Sequence, residues 1–278
     1  MLAPFLIMLR EGMEAALIVG IVAGYLHQTG RRKWLPAVWA GVAIAIVLCL
    51  ALGVVMNLVA AEFPQKQQEF FEGVVGVIAV VILTSMVFWM RKAARSIGGD
   101  LRKSVDDALA KDEAGGMALV LMVFLAVGRE GLESVFFLLA TFQQDVGWGA
   151  PIGAFLGLLC AGVIGWAIYR GGVKLDLRRF FAWTAILIIF VAAGLLAGAV
   201  RAFHEAGVWD RLQGTVFDLS NVLSTDSPIG TVLAGLLGYD DTPSASEVIA
   251  YFAYLIPILF LFLAGGTKPV PKQSRHPA

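Results

Sequence analysis

The chain has 278 residues, 59% of them hydrophobic and 15% charged, and a net charge of zero. A soluble domain of this size carries about 25% charged residues, so a water-soluble globular fold is excluded. A net charge of zero says nothing by itself about partners, and what matters is where the charges lie; no nucleic-acid partner is expected.

The apolar residues collect in runs of 18 to 27 residues, long enough to cross a hydrocarbon core of roughly 30 Å. Seven such spans are predicted in chain order: 2–26, 35–61, 70–91, 117–141, 149–169, 180–203 and 247–264. The fold class is therefore an all-α integral membrane protein with seven transmembrane helices. The first run has no basic residues before it and carries charges in its middle. It reads as an uncleaved span and not as a signal peptide. A polar segment rich in Arg, Lys and Asp, 92–116, separates the third and fourth spans. A longer segment, 204–246, separates the sixth and seventh; its Gly, Ser, Pro and Asp alternate with short apolar patches, and short surface helices are expected there. A tail, 265–278, follows the last span.

Lys and Arg set the orientation. Arg31, Arg32 and Lys33 follow the first span. Arg91, Lys92, Arg95, Arg102, Lys103 and Lys111 follow the third. Arg170, Lys174, Arg178 and Arg179 follow the fifth, and Lys268, Lys272 and Arg275 lie in the tail. The alternate loops hold only Lys66, Arg201 and Arg211. The N-terminus is thus expected outside and the C-terminus in the cytoplasm. Acids show the reverse bias: Glu62, Glu69, Glu72, Asp145, Glu205, Asp210, Asp218, Asp226, Asp240, Asp241 and Glu247 all fall on the outer side. Such a face concentrates cations, although outer loops that merely avoid Lys and Arg would look similar.

Two spans carry charge where none is expected. The first holds Arg10-Glu11-Gly12-Met13-Glu14 and the fourth Arg129-Glu130-Gly131-Leu132-Glu133. The copies lie three spans apart, in the first and the fourth, so the same pattern crosses the membrane in opposite directions. This predicts two inverted three-helix repeats, about 2–91 and 117–203, in one permease domain, 1–264, with 247–264 as an extra helix. Inverted repeats place a transport site at their interface, near the membrane midplane. Weaker echoes accompany the pattern: Cys49 and Cys160 in the second span of each half, Phe70-Phe71 and Phe180-Phe181 opening the third. The two cysteines have no metal-type spacing and read as small buried hydrophobes.

Helical residues three and four apart share a face. Glu11 and Glu14 therefore project together, as do Glu130 and Glu133. Arg10 and Arg129 can each pair with the second acid of their own helix. Gly12 and Gly131 let a neighbouring backbone approach. A charge at mid-bilayer costs at least ~2.5–3.5 kcal/mol, so six unpaired ones would cost on the order of 15 kcal/mol. The two patterns must therefore meet each other or a ligand. If they meet, four carboxylates and two guanidiniums leave a formal charge of −2, which a divalent cation neutralises. Oxygen-only ligands suit hard ions such as Fe, Mn, Mg or Ca. Two plain Arg–Glu staples, or a proton relay through the same acids, are the competing readings. A di-iron oxidase would use Glu-x-x-His, and no histidine lies within a span core; His27 and His204 sit at span ends and His276 in the tail. Glu69 and Glu72 repeat the three-residue spacing at the outer end of the third span, and His204 and Glu205 close the sixth; they form a candidate first capture site or ordinary solvated helix ends. Glycine pairs such as Gly20/Gly24, Gly153/Gly157 and Gly194/Gly198 read as helix packing, and the tryptophans as interfacial anchors.

With "PFLIMLREGMEAALIV", "EFPQKQQEFFEG", "VVILTSMVFWMRK", "REGLESVFFLLATFQQDVG" and "RAFHEAG", nearly the whole chain resembles the oxidase-dependent iron transporter family, which joins fungal high-affinity iron permeases to bacterial ferrous-iron permeases. Met13 stands where the common form has Leu, a volume-conserving change. The resemblance implies iron uptake across the bacterial inner membrane, with no enzymatic activity and no tightly bound cofactor. Iron, as Fe2+ or Fe3+, is then the transported substrate. It implies Glu11, Glu14, Glu130 and Glu133 as iron-handling residues, with Arg10, Gly12, Arg129 and Gly131 as members of the pattern. It also implies periplasmic partners: a cupredoxin-containing protein and a haem peroxidase of the same uptake system. The residues alone reach only a transporter of a hard cation. Manganese in place of iron, or a membrane scaffold for periplasmic iron-handling proteins, stays open at this level.

Overall fold

A computed structural model describes residues 2–61, 64–93, 97–110, 115–144, 148–169, 177–225 and 227–264. Among them the elements are α1 (Leu2–Gln28), a 3-10 turn (Arg32–Trp34), α2 (Leu35–Ala61), α3 (Gln65–Ala93), α4 (Ile97–Leu109), α5 (Gly115–Gln144), α6 (Gly149–Tyr169), α7 (Leu177–Glu205), α8 (Pro228–Leu237) and α9 (Ala245–Ala264). Every predicted span coincides with a helix, and the described residues form no sheet beyond an isolated pairing of Thr215 with Ser244. Six helices, α2, α3, α5, α6, α7 and α9, are long and apolar enough to cross a membrane. α1 is as long as α2, yet Arg10, Glu11 and Glu14 interrupt its apolar run, and all three are buried. The tail 265–278 lies outside the described residues. So do Glu62, Arg95, Lys111, Asp145, Arg170, Lys174 and Asp226 among the charges that argued for orientation.

The helices meet in a regular register set by small residues. On α6, a Cβ at Gly157 would collide with the Phe5 carbonyl of α1, Gly165 faces Ala16, and Gly12 of α1 faces Ala161. Residue numbers rise together along both helices, so α1 and α6 run parallel. On α2, Gly41 faces Val120 and Phe124 of α5, Cys49 faces Gly131, and Gly53 faces Val135; these two are parallel as well. Gly73 against Phe203 and Gly76 against Ala199 make α3 and α7 antiparallel. Val22 and Leu26 near the end of α1 share an apolar cluster with Leu119 and Val123 near the start of α5. The two charged helices therefore cross in opposite directions.

The outer faces follow from this packing. Ile46, Val47, Leu50, Val54 and Leu58 of α2 and Phe155, Leu159 and Val163 of α6 are exposed, the arrangement of helices whose solvent is lipid. Cys49 is half-buried against Gly131, but Cys160 is exposed, which corrects its reading as a buried hydrophobe. It sits beside Ala161, the residue that turns towards α1. Of the glycines read as packing sites, Gly157 and Gly194 are closely approached, whereas Gly20 and Gly24 face open space.

The polar segment 92–116 contains an unanticipated helix. In α4, Leu101, Val105 and Leu109 recur every four residues and lay one stripe against α1 and α5, with Val105 fully buried. Its other face is tethered to the end of α1: Asp106 accepts from the Tyr25 hydroxyl at 2.6 Å and from Arg31 Nη1 at 2.9 Å. The segment 204–246 folds back over the opposite end. Ser227 caps α8 by accepting from the Gly230 amide at 3.0 Å, Pro228 opens it, and Gly238 closes it in the left-handed region at φ 65°. Gly238 lies backbone-to-backbone against Gly194 of α7, a contact that leaves no room for a side chain on either. Asp218 accepts from both the hydroxyl and the amide of Ser220, which holds its carboxyl below the usual carboxylate range. Arg201 at the end of α7 pairs with Asp240 and with the buried Glu247 of α9, the latter at 2.6 Å.

Candidate metal centre

The opposed crossing of α1 and α5 brings the two charged patterns together. Glu11, Glu130 and Glu133 each present a carboxylate oxygen, and these oxygens all lie within 4.8 Å of one another. Glu11 and Glu130 are buried and Glu133 nearly so. Gly12 and Gly131 seat the two charged helices against their other neighbours: a Cβ at Gly12 would sit 2.7 Å from Ala161 Cβ of α6, and one at Gly131 would sit 2.6 Å from Cys49 Sγ of α2. Both intrahelical pairs expected from the spacing form: Arg10 Nε donates to Glu14 at 3.1 Å, and Arg129 Nε to Glu133 at 3.1 Å. Arg129 Nε also lies 3.7 Å from Glu130. Glu14 is thus committed to Arg10 and stands beside the three-oxygen group, with Glu133 and Arg129 in its electrostatic range.

The arginines do not quench the acids. Both oxygens of Glu11, Oε2 of Glu130 and Oε2 of Glu133 are buried and have no hydrogen-bond partner among the described residues. The two terminal nitrogens of Arg10 are likewise buried and unpartnered. Taking an ion out of water without full compensation costs several kcal/mol even after relaxation. Three carboxylates gathered in one largely buried site repel one another, and a bound cation would relieve that repulsion. Two Arg–Glu staples alone leave Glu11 with nothing to face.

The outer candidates also converge. The carboxyls of Glu69, Glu72 and Glu205 lie within electrostatic range of one another. His204 and Glu205 line a polar cavity of about 430 Å³ with Arg201, Asp240, Ser244 and Glu247. His204 Nε2 stands 3.4 Å from the Ser246 hydroxyl.

One neighbour of the centre was not legible from spacing. Trp89 of α3, read among the interfacial tryptophans, has its ring centre 4.3 Å from the Arg129 guanidinium carbon. Only the approach of α3 to α5 places it there.

A multi-pass helical bundle with buried acids gathered where two opposed helices cross defines a membrane transporter of cations. The chain belongs to the iron permease FTR1 family, which it matches over residues 1–270. It is 62% identical over 262 residues to the ferrous iron permease EfeU of Yersinia pestis, covering 94% of this chain and 93% of that protein. It is 58% identical over 263 residues to the protein of that name from Escherichia coli O6:K15:H31, covering 95% of each, and 58% identical over 262 residues to that of Shigella sonnei, covering 94% and 95%. No solved structure matches the chain. Proteins of this family are permeases and not enzymes.

Proposed function

We propose that this protein carries iron inward across the bacterial inner membrane through a site built from Glu11, Glu14, Glu130 and Glu133. The observation that carries the reading is the three-oxygen group of Glu11, Glu130 and Glu133, buried and largely without protein partners. The cargo follows from the family and from relatives named ferrous iron permeases. Hard oxygen donors and a formal charge of −2 suit that cargo.

The matching registers of α1 with α6 and of α2 with α5 support two inverted three-helix repeats, about 2–91 and 117–203. In this arrangement α1 is the seventh span. Its 27 residues reach about 40 Å, and its charges are enclosed by neighbouring helices and do not face lipid. The distribution of Lys and Arg then puts the N-terminus, the 204–246 segment and the acids of α3 outside, and the 265–278 tail inside. Iron is gathered by Glu69, Glu72, His204 and Glu205, passes to the buried acids, and leaves on the basic side. The membrane potential assists at about 2.3 kcal/mol per charge per 100 mV. Delivery by a periplasmic cupredoxin-containing protein and a haem peroxidase belongs to the same reading and rests on resemblance alone.

Uptake of radioactive iron into proteoliposomes holding this chain alone tests the function, with manganese as competitor. Saturable uptake that excess manganese leaves intact supports an iron permease; no uptake points to a scaffold, and equal displacement by manganese to a general hard-cation carrier. In the same vesicles, Glu72→Ala is expected to raise the half-saturating iron concentration severalfold with little change in maximal rate. Unchanged apparent affinity reduces the outer acids to solvated helix ends.

A further inference from the structure

The seam between α1 and α5 is filled with apolar side chains from the acid group to the basic side. Ile18 lies about one turn beyond Glu14 on α1, and Val127 just under a turn before Glu130 on α5. Both are buried and belong to a column that continues through Val22, Leu26 and Val123. The column ends on α4, whose Val105 is fully buried in it, with Leu101 and Leu109 packed alongside. An ion released along this seam has to part α1 from α5, and α4 lies across the line of parting.

α4 stands between the two repeats in the chain and holds a helix of each. On the α5 side the chain itself ties it: α4 ends at Leu109 and α5 begins at Gly115. A Cβ at Gly115 would stand 3.5 Å from the Ala108 carbonyl and 3.5 Å from Leu109 Cα, so the two ends touch. On the α1 side the polar grip is made by side chains. One oxygen of Asp106 accepts from the Tyr25 hydroxyl at 2.6 Å, and the other accepts from Arg31 Nη1 at 2.9 Å. The Arg102 guanidinium carbon lies 6.0 Å from the centre of the Tyr25 ring. This grip is light. Arg31 is 44% exposed and Asp106 48%, and exposed ion pairs contribute little. The helix has only 13 residues, a length that is marginal without packing. Its attachment to α5 is permanent, and its attachment to α1 is easily broken.

We infer that α4 is a latch across the two repeats: docked on α1 through Asp106, it holds the acid group closed to the basic side, and it lets go of α1 when the ion leaves. This rests on the reading of the acid group as the ion site and of the two halves as repeats that move against each other. A helix packed by one apolar stripe and a few exposed polar contacts opens at low cost, and moving elements are drawn from that end of the stability range. The Tyr25–Asp106–Arg31 contact is the catch. Weakening it favours the released state, and locking α4 to α1 stops release of the ion.

Two measurements on full-length protein in a Cys49→Ala/Cys160→Ala background test this. In the first, Tyr25→Cys and Arg102→Cys are joined by a bifunctional methanethiosulfonate that a reductant removes, with the Asp106–Arg31 pair left in place. Joining is scored by mass spectrometry. The joined protein is expected to lose at least about tenfold in iron uptake rate in proteoliposomes and to regain it on reduction, while a monofunctional reagent costs no more than about twofold. Full joining with uptake unchanged overturns the latch, and cysteines that cannot be joined overturn the docking of α4 on α1. The second measurement needs no transport. Val105→Cys, buried in the docked state, is treated in detergent with a water-soluble maleimide. Adding Tyr25→Phe, which removes the hydroxyl from the catch, is expected to speed that reaction about two- to fivefold. An unchanged reaction rate overturns the catch. Uptake by Tyr25→Phe is expected to be no slower than the parent's, and a slower one overturns a contact whose part is to hold the exit shut. Parent-rate uptake by Glu11→Gln would instead unseat the ion-site reading, and it is scored apart from the maleimide reaction.

Discussion

Glu11→Gln is expected to reduce iron uptake by at least about a hundredfold while the protein still inserts and folds. The change is isosteric and removes one negative charge from a site whose formal balance is −2. Glu11 is the one acid of the buried group with no arginine on either oxygen, so it has the most to offer a cation and the least to do otherwise. Removing one partner from a buried charge interaction typically costs about 3–5 kcal/mol, which sets the scale of the loss in ion binding at roughly two to nearly four orders of magnitude. Stability should move the other way. Glutamine brings no charge to bury beside Glu130 and Glu133, so metal-free Glu11→Gln should melt no lower than the parent. Thermal unfolding in detergent and uptake in proteoliposomes measure the two quantities separately. Parent-rate uptake by Glu11→Gln would remove the acid group from the transport path. Loss of both uptake and thermal stability would make Glu11 a structural residue.

The spans were legible because lipid is a simple solvent. A helix facing hydrocarbon must be apolar over its whole length, so a run such as 35–61 announces both its presence and its ends, and α2 matches it residue for residue. The charged patterns were legible for the opposite reason, because charge in such a run is costly enough to demand an explanation. Within them, the three- and four-residue spacings forecast the Arg10–Glu14 and Arg129–Glu133 pairs correctly. Contacts between helices were less legible. Spacing could not say that Glu14 would stand beside the acid group while Glu11, Glu130 and Glu133 form it, since that depends on how far α1 is turned about its axis against α5. Trp89 carried no signal of its own, because its contact with Arg129 exists only where α3 meets α5. The helix α4 was hidden by composition: its exposed face is so polar that the stripe of Leu101, Val105 and Leu109 was lost among Arg, Lys and Asp.

The closest packing at the site gives the second large effect. Gly131 lies between the two acids of its pattern, and a Cβ there would sit 2.6 Å from Cys49 Sγ on α2 and 3.3 Å from Cys49 Cβ. Real side chains do not tolerate the first distance, so Gly131→Ala must turn the Cys49 sulfur out of its place against Gly131 or push α5 away from α2. Overpacking of this kind costs about 1–3 kcal/mol. The functional loss should exceed what that figure suggests, because the displaced backbone carries Glu130 and Glu133 with it. A shift near 1 Å in groups that must converge on one ion can cost on the order of a hundredfold in rate. Gly131→Ala is therefore expected to cut uptake at least tenfold and to lower the melting temperature. Cys49→Ala removes the offending sulfur, whose thiol donates a weak 3.7 Å hydrogen bond to the Gly128 carbonyl, and alone should leave transport near the parent rate. The double variant should recover most of the lost uptake, because the remaining 3.3 Å contact needs only a few tenths of an ångström of adjustment. Recovery is a non-additive result that two independent lesions cannot produce. Additive losses in the double variant would mean that α2 and α5 do not meet at these residues. The spacing of Glu130 and Glu133 against Glu11 would then have to be set by some other contact.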